Sequence, residues 1–109
     1  MIIDFDKIGT SVLPNFKGGE KEFAASMYND AQNRIMRGML IPGASIGMHT
    51  HDTSSEIIFV TAGSGTVLID GTKEAVRAGS CHYCPKGSSH SLINTGSENL
   101  TFLAVVPQQ

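Results

Sequence analysis

The sequence predicts an all-β fold of the sandwich or barrel type. Glycine and proline interrupt the chain at short intervals, and the stretches between them are rich in apolar and β-branched residues. Helical periodicity is nearly absent. Roughly eight to ten short candidate strands follow one another at spacings of about 8–12 residues, as in sandwiches and barrels. The length of 109 residues predicts a single domain.

The N-terminal part combines an irregular stretch with the first strands. Residues 10–19 contain a proline and a pair of glycines, so they are predicted to form a loop. Residues 22–28 and 34–41 are predicted strands, and the polar residues 29–33 between them form a turn. Residues 1–28 are therefore interpreted as the N-terminal strands and arm of the domain.

Glycine and proline also separate the remaining strands. These strands are predicted at residues 44–51, 56–62, 66–70, 73–77, 80–84, 90–94 and 100–106. Asp70-Gly71 predicts a tight hairpin with a primed turn, because both central residues of such a turn adopt positive φ. Pro107 ends the last strand.

Composition and charge narrow the classes of function. The net charge of −2 gives no indication of binding to nucleic acid or to an anionic membrane. No apolar run approaches the roughly 20 residues of a membrane span. Cys81 and Cys84 lie on one predicted strand, where their Cα atoms would be about 10 Å apart, too far for a disulfide. Free thiols predict a reducing, cytoplasmic location.

Three of the four histidines, with one glutamate, form a pattern typical of metal ligands. His49 and His51 are separated by one residue, so a strand places both rings on one face. Glu56 follows shortly after, and His90 comes from a later strand. Imidazole nitrogens with a carboxylate bind divalent transition ions. The pattern does not distinguish Fe, Mn, Ni, Co, Cu and Zn.

The spacing of these residues resembles the two sequence motifs of the cupins. The first motif, G-x5-H-x-H-x(3,4)-E-x6-G, is filled within residues 43–63 by Gly43, His49, His51, Glu56 and Gly63. The second motif, G-x5-P-x-G-x2-H-x3-N, is filled within residues 79–94 by Gly79, Pro85, Gly87, His90 and Asn94. Two gapped patterns that match together are far more specific than either alone.

The chain is thus similar to small single-domain bacterial cupins of the cupin-2 type. The resemblance implies a double-stranded β-helix, or jelly-roll barrel, over residues 1–109. It implies that His49, His51, Glu56 and His90 bind one divalent transition metal ion and leave coordination positions open for water or substrate. It also implies a homodimer, for which the apolar residues 1–3 and Phe5 suit an edge contact.

An open metal site of this kind supports three hypotheses of function. The first is a metal-dependent lyase, isomerase or epimerase that acts on a small carbohydrate-like or organic-acid metabolite. The second is an iron-dependent dioxygenase. The third is a non-catalytic protein that binds or senses a small molecule. The first hypothesis is preferred, with a small-molecule substrate as the partner and neither nucleic acid nor membrane involved.

Candidate residues around the metal follow from strand alternation. His82 and Tyr83 are predicted acid–base groups, but alternation pairs His82 with Cys84 and Tyr83 with Cys81, and only one pair can face the interior. His82 has no ligand position in the family motif, so an alternative role is support of a ligand from outside the metal site.

The substrate is expected to contact residues on two other strands. Ile58 and Val60 share a face with Glu56 and are predicted to form an apolar wall. Arg34 and Arg37 have opposite parity, so only one of them can reach the interior and hold a carboxylate. Arg37 is assigned as the substrate-binding candidate.

Overall fold

The structure, a computed structural model, describes residues 1–109 and contains ten strands in two antiparallel sheets. The strands are β1 (Ser11–Pro14), β2 (Glu22–Asn29), β3 (Asn33–Leu40), β4 (Ser45–Thr50), β5 (Glu56–Ala62), β6 (Ser64–Ile69), β7 (Thr72–Arg77), β8 (Cys81–Cys84), β9 (Ser89–Ile93) and β10 (Leu100–Pro107). One short helix, α1 (Phe5–Ile8), and a 3₁₀ turn, Phe16–Gly18, complete the fold.

The two sheets share one hydrophobic core. One sheet has the strand order β1-β2-β3-β10-β5-β8, and the other has the order β4-β9-β6-β7. Apolar side chains from both sheets lie in a single buried cluster, among them Phe23 and Phe102 from the larger sheet and Ile46, Val67 and Leu92 from the smaller. The arrangement is an all-β jelly roll, or double-stranded β-helix, which confirms the predicted fold class.

The centre of this core is a stacked pair of aromatic rings. Phe23 and Phe102 are both fully buried, and their ring centroids lie 5.9 Å apart with an angle of 7° between the planes. Gly38 lies beneath the pair on β3, where a β-carbon would come within 2.7 Å of both rings. Because protein interiors are packed to crystal-like density, this position has room only for glycine.

The hairpin predicted at Asp70-Gly71 is confirmed. Ile69 and Thr72 are paired across a two-residue turn, and Asp70 and Gly71 have φ of 45° and 82°. Positive φ at both positions defines the primed turn, whose twist matches that of the strands. The Asp70 carboxylate also accepts a hydrogen bond of 3.0 Å from the backbone N–H of Ser89, so the turn is attached to the start of β9.

The N-terminal region differs from the prediction, because part of the loop expected at residues 10–19 is a strand. Residues Ser11–Pro14 pair with β2, with Leu13 opposite Phe23. Pro14 is compatible with this strand because it lies at the end of an edge strand, where a backbone N–H need not be donated. No helix in the structure has the length and apolarity needed to cross a membrane. Cys81 and Cys84 are unpaired, as predicted.

Replacing Gly38 with alanine should destabilise the fold. The added β-carbon would collide with the rings of Phe23 and Phe102, and overpacking of a core typically lowers the free energy of unfolding by about 1–3 kcal/mol. Urea denaturation of G38A should therefore show a lower midpoint. A midpoint equal to that of the wild type would show that the two rings can shift without any decrease in the free energy of unfolding.

Candidate metal centre

The predicted ligands come from strands of both sheets and meet at one point. His49 on β4 lies directly opposite His90 on β9 in the register of the smaller sheet. His51 follows β4, and Glu56 begins β5 of the larger sheet. The histidine–glutamate cluster, as we call His49, His51, Glu56 and His90 together, therefore bridges the two sheets.

Each member of the histidine–glutamate cluster directs one donor atom toward a common centre. One donor from each of the four residues can be chosen so that all lie within 4.8 Å of one another. Glu56 Oε1 lies 2.8 Å from His90 Nε2, 3.2 Å from His51 Nε2 and 3.9 Å from His49 Nε2. The Nε2 atoms of His51 and His90 are 3.0 Å apart.

These distances fit a divalent transition ion. Ligand bonds of about 2.0–2.2 Å place neighbouring donors of an octahedral site about 3 Å apart. Most of the observed separations between donors lie close to that value. Three imidazoles and one carboxylate also match the ligand preference of first-row transition ions. The donor set itself therefore supports a metal site, without selecting the metal.

Each histidine is oriented from behind by a partner of its other ring nitrogen. Nδ1 of His49 lies 2.7 Å from the Gly47 carbonyl, and Nδ1 of His51 lies 3.0 Å from Ser54 Oγ. A proton on the Nδ1 of His49 is donated to that carbonyl, so Nε2 keeps its lone pair for a metal. This arrangement is typical of histidines that bind metals, where such partners set the tautomer and the ring orientation.

The partner of His49 depends on an irregularity in β4. The pairing of β4 with β9 shifts between Ile46 and His49, with one more residue on β4 than on β9. This bulge places Gly47 beside the 3₁₀ turn, where a side chain on Gly47 would collide with the backbone of Lys17 and Gly19. Glycine is thus required for the approach of these two segments, and the same residue supplies the carbonyl for His49.

Glu56 is a buried carboxylate stabilised in its charged form. Its exposed fraction is 6%. Burial alone would raise its pKa, but the neighbouring imidazoles of His49, His51 and His90 outweigh this effect and hold the pKa of Glu56 well below its usual value. The ionised form is the one that binds a cation, so the environment maintains a ligand-competent carboxylate.

A cavity of about 300 Å³ opens onto the histidine–glutamate cluster. Its polar wall includes residues of the β2–β3 hairpin, in particular Asn29, Asp30, Asn33 and Arg34, together with Lys17 from the 3₁₀ turn. Its apolar lining consists of Phe16, Phe23, Met36, Ile46 and Val106. The hairpin residues other than Arg34 were missed as site candidates, although the polar turn at residues 29–33 is visible in the sequence.

Strand parity on β3 selects Arg34 rather than Arg37 for the cavity. Arg34 shares its face with the buried Met36 and lines the cavity. Arg37 points to the outer face, where its guanidinium forms an ion pair of 2.7 Å with Asp6. The predicted substrate-binding role of Arg37 therefore has no geometric support, since its side chain lies on the outer face and does not line the cavity.

The parity of β8 is also resolved. His82 and Cys84 are buried, whereas Cys81 and Tyr83 lie on the exposed face, with Tyr83 54% exposed. Tyr83 is not brought to the cavity, so its predicted acid–base role has no geometric support. Burial, with smaller contributions from Glu56 and Asp70, raises the pKa of Cys84 to about 11, so its thiol stays protonated.

His82 lies behind the histidine–glutamate cluster and not in the cavity. Its Nε2 atom is 3.0 Å from Nδ1 of His90. Burial and the neighbouring His90 lower the pKa of His82, which favours the neutral imidazole. This position corresponds to the alternative prediction for His82, in which it supports a ligand from outside the metal site.

Ile58 and Val60 lie on the same face of β5 as Glu56, as predicted, but they pack in the hydrophobic core and not in the wall of the cavity. Both are almost fully buried, with exposed fractions of 1% and 3%, and both belong to the hydrophobic core. Neither lines the cavity beside the cluster. Their predicted contact with substrate therefore has no geometric support, because the apolar wall is formed by other residues.

The fold and the four converging donors define a jelly-roll barrel with a candidate metal site open to a cavity. A family model described as "Cupin domain" matches residues 36–106, and the chain belongs to the cupin family. The matched segment contains the whole histidine–glutamate cluster.

Two comparisons lead to Thermotoga maritima. An oxalate-binding protein of this organism is 32% identical over 112 residues, which cover 97% of the present chain and 93% of that protein. A crystal structure from the same organism, described as a predicted oxalate decarboxylase, superposes with a TM-score of 0.93 and 30% identity over all of both chains. A sugar phosphate isomerase of the cupin superfamily from Silicibacter pomeroyi has a TM-score of 0.78 at 24% identity, with coverage of 100% and 76%, and shows a shared fold only.

Replacing His49 with alanine should abolish tight metal binding while the fold is retained. Loss of a group behind a metal ligand alone costs about 10- to 100-fold in affinity, so loss of a ligand should cost more. Metal content after gel filtration and a chelator competition assay measure the effect. Met48→Ala is the matched control, because Met48 is the adjacent residue and is 51% exposed. Equal metal retention in both variants would contradict the ligand assignment.

Proposed function

We propose that this protein binds a small carboxylate-containing metabolite, such as oxalate, through a divalent transition ion held by His49, His51, Glu56 and His90. The observation that carries the proposal is that Arg34 lies in the wall of the same cavity as His49, His51 and Glu56, with His90 buried directly behind them. A metal bound there would supply positive charge and open coordination positions to a carboxylate oxygen. Arg34 supplies a second anion-binding group from the protein itself.

The guanidinium of Arg34 is held ready for an anion. Its Nε atom donates a hydrogen bond of 2.8 Å to Asn29 Oδ1, on the neighbouring strand of the hairpin. This contact orients the side chain and leaves the two terminal amino groups for a ligand. Arginine presents paired donors that match the geometry of a carboxylate. Lys17 adds a second cationic side chain to the same cavity.

The size of the cavity favours a small ligand. Its volume of about 300 Å³ lies at the lower end of the range of about 300–1,000 Å³ that is usual for small-molecule sites. A dicarboxylate can use one carboxylate at the metal and the other at Arg34. The oxalate-binding relative from T. maritima supports this class of ligand.

A second candidate function is decarboxylation of the bound acid, a lyase reaction. The T. maritima structure described as a predicted oxalate decarboxylase favours this candidate. The carbon–carbon bond of oxalate would break to release carbon dioxide, and the remaining carboxylate carbon would take up one proton from solvent to give formate. Incubation of metal-loaded protein with oxalate, followed by a formate assay, distinguishes turnover from binding alone. Formate above the level of the H49A variant would support the lyase, whereas stoichiometric binding without formate would support a binding or sensing role.

The other enzyme classes place different demands on the cavity. An isomerase or epimerase needs an acid–base group beside the substrate. The predicted groups His82 and Tyr83 do not line the cavity, whereas Asp30 and Lys17 do. A dioxygenase would need bound iron and would consume oxygen, and three imidazoles with one carboxylate are donors that also suit iron. Oxygen uptake by iron-loaded protein in the presence of oxalate tests the dioxygenase.

Replacing Arg34 with alanine should weaken oxalate binding to the metal-loaded protein. A charge-assisted hydrogen bond contributes about 1.5–3 kcal/mol, which corresponds to roughly 10- to 100-fold in Kd. Isothermal titration calorimetry measures the change. Arg37→Ala is the control, since Arg37 lies on the same strand but on the outer face. Similar affinity of the two variants would rule out a specific role for Arg34.

We also propose that the outer face of the larger sheet forms the interface of a homodimer. Phe59 and Leu103 are paired across β5 and β10, and their exposed fractions are 48% and 38%. Tyr83 on β8 adds a third large exposed side chain to this face, with 54% exposed. Contiguous apolar patches of this kind are typical of protein–protein contacts, and a self-complementary sheet face suits a twofold interface.

Replacing Phe59 with lysine should therefore convert the dimer to a monomer, because a charge would be buried without a partner at the interface. Multi-angle light scattering reports the mass. Met48→Lys is a matched control, since Met48 is exposed to a similar extent, 51%, but lies on the smaller sheet. A wild-type protein that is already monomeric at the 11.6 kDa of one chain would disprove the proposed interface.

A further inference from the structure

The support of His90 differs in kind from that of the other two histidines. His49 is oriented by a backbone carbonyl, which only accepts hydrogen bonds. The Nδ1 atom of His90 instead faces Nε2 of His82 at 3.0 Å. The two rings stack with centroids 5.2 Å apart, and the His82 side chain is only 3% exposed. A neutral imidazole nitrogen either donates or accepts, so this contact permits two proton arrangements.

Only one of these arrangements is compatible with metal binding. In the first, His90 carries its proton on Nδ1 and donates it to His82, and the Nε2 atom of His90 is free for a metal. In the second, His82 donates to His90, whose proton then lies on Nε2 and is donated to Glu56 Oε1 at 2.8 Å. The carboxylate of Glu56 thus stabilises the second arrangement when no metal is bound.

A third residue distinguishes the two arrangements. Glu74 on β7 has Oε1 at 3.7 Å from Nδ1 of His82, and its side chain is 54% exposed. This separation is too long for a hydrogen bond, but the negative charge favours a proton on Nδ1 of His82. A proton there leaves Nε2 of His82 as an acceptor, which is the arrangement that frees Nε2 of His90 for the metal.

We propose that Glu74 and His82 form a positioning relay that sets the tautomer and orientation of His90 for metal binding. The relay connects the surface beside β7 to the histidine–glutamate cluster. Glu74 and His90 lie in the smaller sheet and His82 lies between them in the larger sheet, so the relay crosses between the sheets twice. His82 touches neither metal nor substrate and acts only through His90. This inference rests on the proposed metal site.

The relay predicts graded losses of metal affinity in variants that leave all four ligands intact. His82→Leu removes the acceptor and should weaken Zn(II) binding by about 10- to 100-fold, as is typical for groups behind a metal ligand. His82→Gln should restore most of the affinity, because the amide oxygen reaches as far as Nε2 and accepts the same hydrogen bond. Chelator competition at fixed pH provides the affinities.

Glu74 has a matched control in Glu98, an exposed carboxylate that has no contact with His82. Glu74→Gln should lower the Zn(II) affinity several-fold, whereas Glu98→Gln, with the same change of net charge, should leave it unchanged. Equal affinities of these two variants would remove Glu74 from the relay. Wild-type affinity in His82→Leu would overturn the whole proposal, whereas absence of Zn(II) binding in the wild type would instead refute the metal site.

Nitrogen NMR tests the relay in the wild-type protein, so the result does not depend on whether a variant folds. In the zinc-loaded protein, ¹⁵N shifts should show protonated Nδ1 atoms in both His82 and His90 and an unprotonated Nε2 in His82. Removal of zinc should move the His90 proton to Nε2. A protonated Nε2 of His82 in the zinc-loaded state would overturn the proposed direction of the relay.

Discussion

The register between β4 and β9 is the constraint on which the candidate site depends. It places His49 directly opposite His90, but it cannot supply the carboxylate, because Glu56 belongs to the other sheet. The donors converge only when the two sheets are stacked at the correct distance. The core that includes the rings of Phe23 and Phe102 sets that distance. The geometry of the site therefore depends on the packing of the core.

The cluster of three imidazoles also offsets the energetic cost of burying the carboxylate of Glu56. Removing an ionised carboxylate from water costs several kcal/mol unless partners compensate it. The imidazoles of His51 and His90 lie within hydrogen-bond distance of Glu56, at 3.2 and 2.8 Å, and His49 lies 3.9 Å away. Each ring has a further partner behind it, a backbone carbonyl, a hydroxyl or another imidazole. The rings of the apo protein are thus already oriented as a metal needs, and the main change on binding is the position of the His90 proton.

The sequence was sufficient to predict the fold and the four clustered residues, because the spacing of its glycines and candidate ligands matches both cupin motifs. Side-chain direction was harder to predict. On β3, apolar residues occupy both faces, so parity could not distinguish Arg34 from Arg37. On β8, a four-residue strand with one polar and one thiol side chain per face gave no hydrophobic pattern. β1 was missed because Pro14 is a loop signal everywhere except at a strand edge.

The bulge at Gly47 has a consequence for how such a site can evolve. The group that orients His49 is a main-chain carbonyl, which no side-chain substitution can remove. The groups that orient His51 and His90 are the side chains of Ser54 and His82, which substitution can change. Substitutions at positions 54 and 82 can thus change the metal affinity of the barrel while all four ligands stay in place. The main-chain contact that orients His49 would be retained in all such variants.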